Sequence, residues 1–325
     1  GTIRSVLKNG CLFETGPNGF LDSKPRTLEF VAELGLAGEI VKAGRDAQIR
    51  YICLDNVLHP FPMSPAGFFG FRPMRLREKL RVFVEPFVAR GTDPDESVYA
   101  FGARRLGDKF SRLFLDPMVS GIYGGDARET VLRAAFPRIY ELEQKYGSLF
   151  KAMIKIKKEK KNGGETAGMP SGTLTSFRRG QDQFIETLGK RYSEHILLNH
   201  EVAVVTRGGG RFVAGGAGRR HEADELFICT PSYQAGRMLQ GVSPGLADDL
   251  NRVQYAPIAV VGLVFPISAF EKKPQGFGYL IPSSERKEVL GVLLESNIFP
   301  SRSPDGQILL RVMIGGARHP SIIEK

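Results

Sequence analysis

A block of mostly helical character, from about Pro73 to Ile156, interrupts two regions whose patterns are extended. That order constrains the fold more than any other feature. A long helical stretch set between strand-forming segments implies a mixed-sheet protein with a helical insertion. Within the block, Thr92 with Asp95 forms an N-terminal capping pattern for a helix running to about Arg105 and stopping before Gly107. A second helix is predicted from near Asp108, and further helical segments cover roughly Thr130 to Lys157 with a break at Pro137.

The flanks read as strands and turns. Residues 2–7 and 10–14 predict a hairpin around Asn9-Gly10, a strong two-residue turn signal. Asp22 or Ser23 can cap a helix that has Pro25 in its first turn and ends at Gly35. A short extended stretch follows from Gln48 to Leu54. Beyond the helical block, KNGGETAGMPSG (161–172) reads as a flexible connector. A helix is predicted at about 181–193, then strands near 201–206, 211–214 and 224–230, joined by glycine-rich turns at 208–210 and 215–218. From Ile258 onward the pattern is strands, with turns at Pro282-Ser283-Ser284 and Pro304-Asp305-Gly306. The longest apolar stretch, Ile258 to Ile267, is far shorter than the roughly 20 residues of a spanning helix. It contains Pro266, is rich in valine, and reads as a buried strand.

Composition narrows the function classes. The chain has 325 residues, 42% hydrophobic and 25% charged, which suits a folded chain of more than one ordinary domain. Its net charge of +10 fits nucleic acid, an anionic membrane surface or an anionic substrate. Lys155, Lys157, Lys158, Lys160 and Lys161 form one basic run, which is either a solvated flank or a contact for acidic lipid headgroups. No aromatic residues interleave it, so single-stranded nucleic acid is a poor fit. Cys11, Cys53 and Cys229 make no C-x-x-C pair; each sits beside apolar residues as a small buried hydrophobe, which fits a reducing compartment. The opening GTIRSVLKNG has no apolar core of a signal peptide. His59, His195, His200, His221 and His319 show no metal spacing, and no serine–histidine–acid constellation can be argued. Gly208-Gly209-Gly210 and Gly215-Gly216-Ala217-Gly218 lead into strands rather than helices, so they are turns and not a dinucleotide fingerprint.

Several segments carry a family resemblance in collinear order. The opening GTIRSVLKNGCLFETGPNGFL is similar to a glycine-bearing strand of the flavin amine oxidase superfamily. ESVYAFGARRLGDKF (96–110), DPMVSGIYGGDARE (116–129), FPRIYELEQKYGSL (136–149), QGFGYLIPSSE (275–285), LGVLLES (290–296) and RVMIGGARHP (311–320) resemble the oxygen-dependent protoporphyrinogen oxidases within it. Against that pattern, the glycine fingerprint would precede Gly1 and the C-terminal flavin-binding segment would follow Lys325. The expectation is a chain cut short at both ends that binds FAD poorly alone. Thr130-Val131 and Asn18 depart from the family, which more often has a leucine–serine pair at the first and in some members arginine at the second.

The resemblance implies an α/β (mixed α+β) fold with an incomplete FAD-binding Rossmann-type domain (1–44 and 199–256). It also implies a helical membrane-docking insertion (52–157) and a mixed-sheet substrate domain (45–51, 158–198 and 257–325). It implies oxidation of protoporphyrinogen IX to protoporphyrin IX, with FAD as cofactor and dioxygen as acceptor, in haem biosynthesis. Arg50 is matched to an arginine that pairs with a substrate propionate, and a planar guanidinium suits that task. Phe277, Leu280, Leu293 and Met313 match apolar walls of the tetrapyrrole site, and Gly121 a glycine whose carbonyl faces the substrate. Thr2, Gly16, Pro17, Asn18 and Gly19 match a strand and loop near the flavin, and Val202 a position at its adenine end. No side chain is assigned a catalytic role and no metal is expected, since the flavin performs the chemistry. Phe61, Phe68, Phe69, Phe71 and Phe87, among Arg72, Arg75, Arg77 and Arg81, suit either an interfacial surface or a helix packed on the core. Expected partners are the porphyrinogen, dioxygen and a membrane surface, with a homodimer and hand-over to a chelatase also considered and no nucleic acid. The expected location is cytoplasmic, peripherally on a membrane. Three alternatives stay open: a coproporphyrinogen III oxidase, a more distant relative such as a polyene desaturase (against which DPMVSGIYGGD argues), and a non-catalytic tetrapyrrole-binding or membrane-associated remnant.

Overall fold

The computed structural model describes residues 1–161 and 172–323. The connector expected at 161–172 falls almost wholly outside them, as do the side chains of residues 159–161 in the basic run. Two compact units emerge, one of Gly1–Thr187 with Ala256–Lys325, the other of Leu188–Tyr255.

In the larger unit the first hairpin forms as the turn signal demands. Strands β1 (Ser5–Lys8) and β2 (Cys11–Glu14) pair antiparallel, and Asn9 and Gly10 both take positive φ, 51° and 75°. Strands β3 (Phe20–Leu21) and β4 (Ile40–Lys42) flank β7 (Leu174–Phe177) in a three-stranded sheet. The helix Pro25–Glu33 between them starts on its proline, but Lys24 is its N-cap and no side chain caps it, so neither Asp22 nor Ser23 does the expected work. Asp22 instead accepts from Thr173 N (2.7 Å) and Lys42 Nζ (2.8 Å), tying β3 to its neighbours.

The main sheet draws its strands from distant parts of the chain. Strands β5 (Arg50–Leu54) and β6 (Val57–Pro60) lie at one edge. They are followed across the sheet by β12 (Gly278–Leu280), β13 (Val289–Leu294), β14 (Gln307–Gly315) and β11 (Ile258–Pro266). Only the β5–β12 pair is parallel, which makes the sheet mixed. The Ile258–Ile267 run is a strand, as its valines suggest, but it is not buried. It forms the sheet's outer edge, with Val261, Leu263, Val264 and Phe265 exposed.

The helical block folds over this sheet. After helices Pro65–Gly70 and Leu76–Phe83, the expected capped helix spans Val98–Leu106, and Ser97 rather than Thr92 or Asp95 provides the cap, accepting from Ala100 N at 3.2 Å. Asp108–Phe110, a wide turn at Ser111–Leu115 and Asp116–Tyr123 continue as one rod; Leu132–Ala135, Pro137–Tyr146 and Leu149–Lys161 complete the layer. Ile52 and Leu54 on β5 pack against Phe71, Met74, Leu113 and Phe114, with Phe68 and Phe110 partly buried around them. Tilted and edge-on ring pairs such as Phe71–Phe114 (5.3 Å) and Phe61–Phe114 (5.2 Å) each add about 0.5–1.5 kcal/mol beyond area burial. Phe71 therefore belongs to the core, whereas Phe69 and Phe87 face outward. Among the described residues no helix is long and apolar enough to cross a membrane.

A buried ionic knot locks the layer. Arg105, fully buried, donates to Glu143 Oε1 (2.7 Å), Glu85 Oε1 (3.0 Å) and the carbonyls of Val88 and Gly147. Glu85 in turn accepts from Ser148 Oγ (2.6 Å) and Leu149 N (2.8 Å). Each carboxylate oxygen of Glu85 and Glu143 thus finds a donor, the condition under which such a cluster survives.

The smaller unit is built on a three-stranded antiparallel sheet of β8 (Val204–Gly208), β9 (Arg211–Gly216) and β10 (Arg219–Ala223), with helices Ser232–Leu239 and Pro244–Arg252. Both glycine clusters are hairpin turns, with Gly209, Gly210, Ala217 and Gly218 at positive φ. The third strand is 219–223 and not 224–230: the turn is tighter than expected and the strand pairs at once. Cys229 is exposed, unlike buried Cys11 and Cys53.

Candidate functional site

Register on the main sheet brings the expected substrate residues together. Gly278 pairs with Arg50 on one side and Leu293 on the other, and Leu293 pairs with Arg311. Two residues along, Leu280 pairs with Ile52 and Gly291, and Gly291 with Met313. Side chains two apart share a face, so Arg50, Leu280, Leu293 and Met313 project from the same side of the sheet. On that side the leucines and Met313 are only half-buried, while Leu290, Val292, Leu294 and Val312, of opposite parity, are buried. The face that carries Arg50 is itself packed at Ile52 and Arg311, both buried, and leaves half-buried apolar surface at Leu280, Leu293 and Met313.

Gly121, on the helix Asp116–Tyr123, lies against this wall. A Cβ there would meet Leu280 Cδ2 at 2.6 Å, so a larger residue would displace the end of the leucine side chain. Asp116 holds that helix in place, accepting from Ser283 N (2.8 Å) and pairing with Arg318. Phe277, just ahead of β12, receives the Arg50 guanidinium over its ring at 5.2 Å from the centroid. Arg50 and Phe277 line an open cavity of about 850 Å³ with Arg45, Gln48, Tyr51, Phe61 and Met63.

The loop expected near the flavin is held by residues that motif spacing did not single out. Arg311 on β14 is buried and donates to the carbonyls of Glu14 (3.0 Å) and Gly16 (2.5 Å). Glu14 also pairs with buried Arg302 at 2.6 Å and accepts from Gln181 N at 2.9 Å. Gly16 passes so near Thr2 that a Cβ would sit 1.8 Å from its carbonyl oxygen, and Gly19 similarly abuts Thr175. Pro17 is exposed between them. Both amide atoms of Asn18 are shielded from solvent and make no well-formed hydrogen bond, although the amide lies near enough to Glu295 to favour its carboxylate. An amide offering a donor and an acceptor together fits the pyrimidine edge of a flavin, which presents the complementary pair. Behind it, burial pushes the Glu295 carboxyl above the usual carboxylate range against the pull of Arg311 and Arg302, with Asn18 also favouring its charged form. Burial likewise lowers the Arg311 guanidinium from its ordinary value, offset in part by Glu295 and Glu14. Val202 lies in the smaller unit, just ahead of β8.

Sequence spacing offered no hint of the Glu14–Arg302–Arg311–Glu295 cluster, because Glu14 lies about 280–300 residues from the other three; the available signal was Glu14 and Arg311, charged residues in otherwise apolar strands.

The profile of the family described as "Flavin containing amine oxidoreductase" matches residues 1–325. Protoporphyrinogen oxidase 1, chloroplastic, of Arabidopsis thaliana is 29% identical over all of this chain, which spans 64% of that protein. Protoporphyrinogen oxidase of Homo sapiens is 30% identical over 98% of this chain and 70% of its own length. Among solved structures, a protein of Exiguobacterium sp. 255-15 provisionally named a protoporphyrinogen oxidase superposes with a TM-score of 0.76 at 20% identity, over all of this chain and 71% of its own. At that identity the likeness concerns the fold: a mixed α/β chain of the flavin amine oxidase type.

Proposed function

Because the chain belongs to the flavin containing amine oxidoreductase family, we propose that it provides the substrate side of an FAD-dependent oxidation of protoporphyrinogen IX to protoporphyrin IX in haem biosynthesis, with dioxygen as acceptor. The observation that carries this reading is Arg50. Its guanidinium lies over Phe277 at a large cavity, with no acid partner among the described residues, on the sheet face that also carries Leu280, Leu293 and Met313.

The division of labour follows from those contacts. Arg50 forks onto a propionate and fixes the macrocycle in one orientation. Leu280, Leu293 and Met313 press on the flat apolar ring, and Gly121 lets the helical layer close behind Leu280. Together they hold the reacting carbon still and exclude bulk water. Thr2, Gly16, Pro17, Asn18 and Gly19 hold the flavin. FAD, when bound, supplies the hydride acceptor, so no acid–base dyad is required of the protein. This reading keeps residues 52–157 as the membrane-docking insertion, with exposed Phe69, Leu76, Leu80, Phe83 and Phe87 meeting the lipid surface from the cytoplasmic side.

The test is Arg50→Ala in the complete protein, assayed with protoporphyrinogen IX and coproporphyrinogen III. KM for the preferred porphyrinogen should rise about tenfold or more while flavin content stays constant. An unchanged KM removes Arg50 from the site. Faster turnover of coproporphyrinogen III replaces the proposed substrate, and turnover of neither by a flavin-loaded protein supports a non-catalytic remnant.

A further inference from the structure

Arg50 is not the only cation at the large cavity. Arg45 lines it too, five residues earlier, on the short turn Arg45–Gln48 that leads into β5. Neither guanidinium meets a carboxylate among the described residues, although Asp46 adjoins Arg45. On a protein surface an arginine commonly finds an acid nearby; two unneutralised ones on one concave wall mark a place for anions.

The turn that carries Arg45 is rigidly founded. Ala43 N donates to Leu174 O (2.8 Å), Gly44 N to Ile298 O (2.8 Å), and Ala47 N to Gly44 O (3.2 Å). Ala47 is buried against Ile298 and Phe299, with Phe277 and Leu293 packed around that cluster. The same cluster therefore fixes the Arg45 turn and the apolar wall. With a tight turn of about 2 Å rise per residue followed by extended chain, the Cα atoms of Arg45 and Arg50 lie within about 13 Å of each other. Two long side chains from such points can reach neighbouring acid arms of one ligand.

Resting on the porphyrinogen reading, we infer that Arg45 is a second carboxylate-binding residue, so that this cavity recognises a tetrapyrrole by two acid arms at once and selects for substrates whose acids are adjacent. Arg50 anchors one arm against Phe277; Arg45 takes the other from the rim. Arg45 does not touch the reacting carbon, and its contribution falls on binding and orientation.

The probes are protoporphyrin IX, with two free acids, and its dimethyl ester, with none, titrated into the complete protein by fluorescence. The wild type should prefer the diacid. Arg45→Gln and Arg50→Gln should each reduce that preference about tenfold, the double variant should remove both steps, and affinity for the diester should stay constant throughout. Arg45→Lys should restore part of the loss. Because Arg45 is exposed, these variants should keep the wild-type melting temperature; Arg45→Glu, which should depress diacid binding further without altering diester binding, guards against a fold effect. If Arg45→Gln keeps the wild-type ratio of diacid to diester affinity while Arg50→Gln loses it, the second grip is refuted and the porphyrinogen reading stands. If the wild type binds neither probe, both are overturned.

Discussion

Replacing Arg105 by methionine tests whether the helical layer is held by its buried charges or merely contains them. Arg105 has no solvent exposure, and removing it deprives Glu85 of its guanidinium and Glu143 of one of two, since Arg104 still reaches Glu143 at 3.0 Å. The carbonyls of Val88 and Gly147 also lose their donor. Breaking a buried pair by deleting one partner costs about 3–5 kcal/mol. Arg104 moderates the loss at Glu143 and the two carbonyls add to it, so about 4 kcal/mol is expected for Arg105→Met. Adding Glu85→Gln should recover about 1 kcal/mol, because no charge is left unpaired, while its single amide oxygen keeps the bond from Leu149 N and its amide nitrogen, now a donor, replaces the oxygen that accepted from Ser148 Oγ. Urea unfolding monitored by circular dichroism measures both. A single-variant loss under about 1 kcal/mol, or a double variant no more stable than the single, would refute the reasoning.

Two further outcomes follow from other contacts. Gly121→Ala should cost only about 1 kcal/mol in stability, since the methyl meets the far end of half-buried Leu280, but it should displace that leucine on the proposed substrate face and raise KM; unchanged KM would separate Gly121 from the site. Glu295 has its pKa raised above 4.5 by burial, so the native state binds its proton more tightly than the unfolded chain. Stability then falls as pH rises from about 4.5 toward the folded value, and Glu295→Gln should flatten that slope in a pH series of urea midpoints; an unaltered slope would show that the carboxyl does not titrate there.

Local chemistry was legible in the sequence where one or two residues decide the backbone. Asn9-Gly10, Pro25 and the glycine clusters each did so, and their turns and helix start follow. Arg50, Leu280, Leu293 and Met313 were found by resemblance, and register explains why residues so far apart in the chain share a face. Competing local signals misled elsewhere. Thr92-Asp95 and Ser97 both offer caps, and the choice fell to Ser97 because the bridge from that residue to Val131 fixes where the helix begins. Valine content identified the strand at 258–266, and its apolar run masked the edge signal that Pro266 carries, since a proline has no N–H to offer a second neighbouring strand. The Arg311 grip on the 14–16 carbonyls was invisible because it is purely tertiary.

The parallel pairing of β5 with β12 has a consequence for synthesis. The two segments are separated by most of the chain, so β5 leaves the ribosome long before its partner exists. At about 5–20 residues per second the wait is roughly 10–45 s. Throughout it the β5–β6 ribbon presents one flank of unclaimed amides and carbonyls, so nascent-chain holdases have that interval in which to act, and fast translation shortens it.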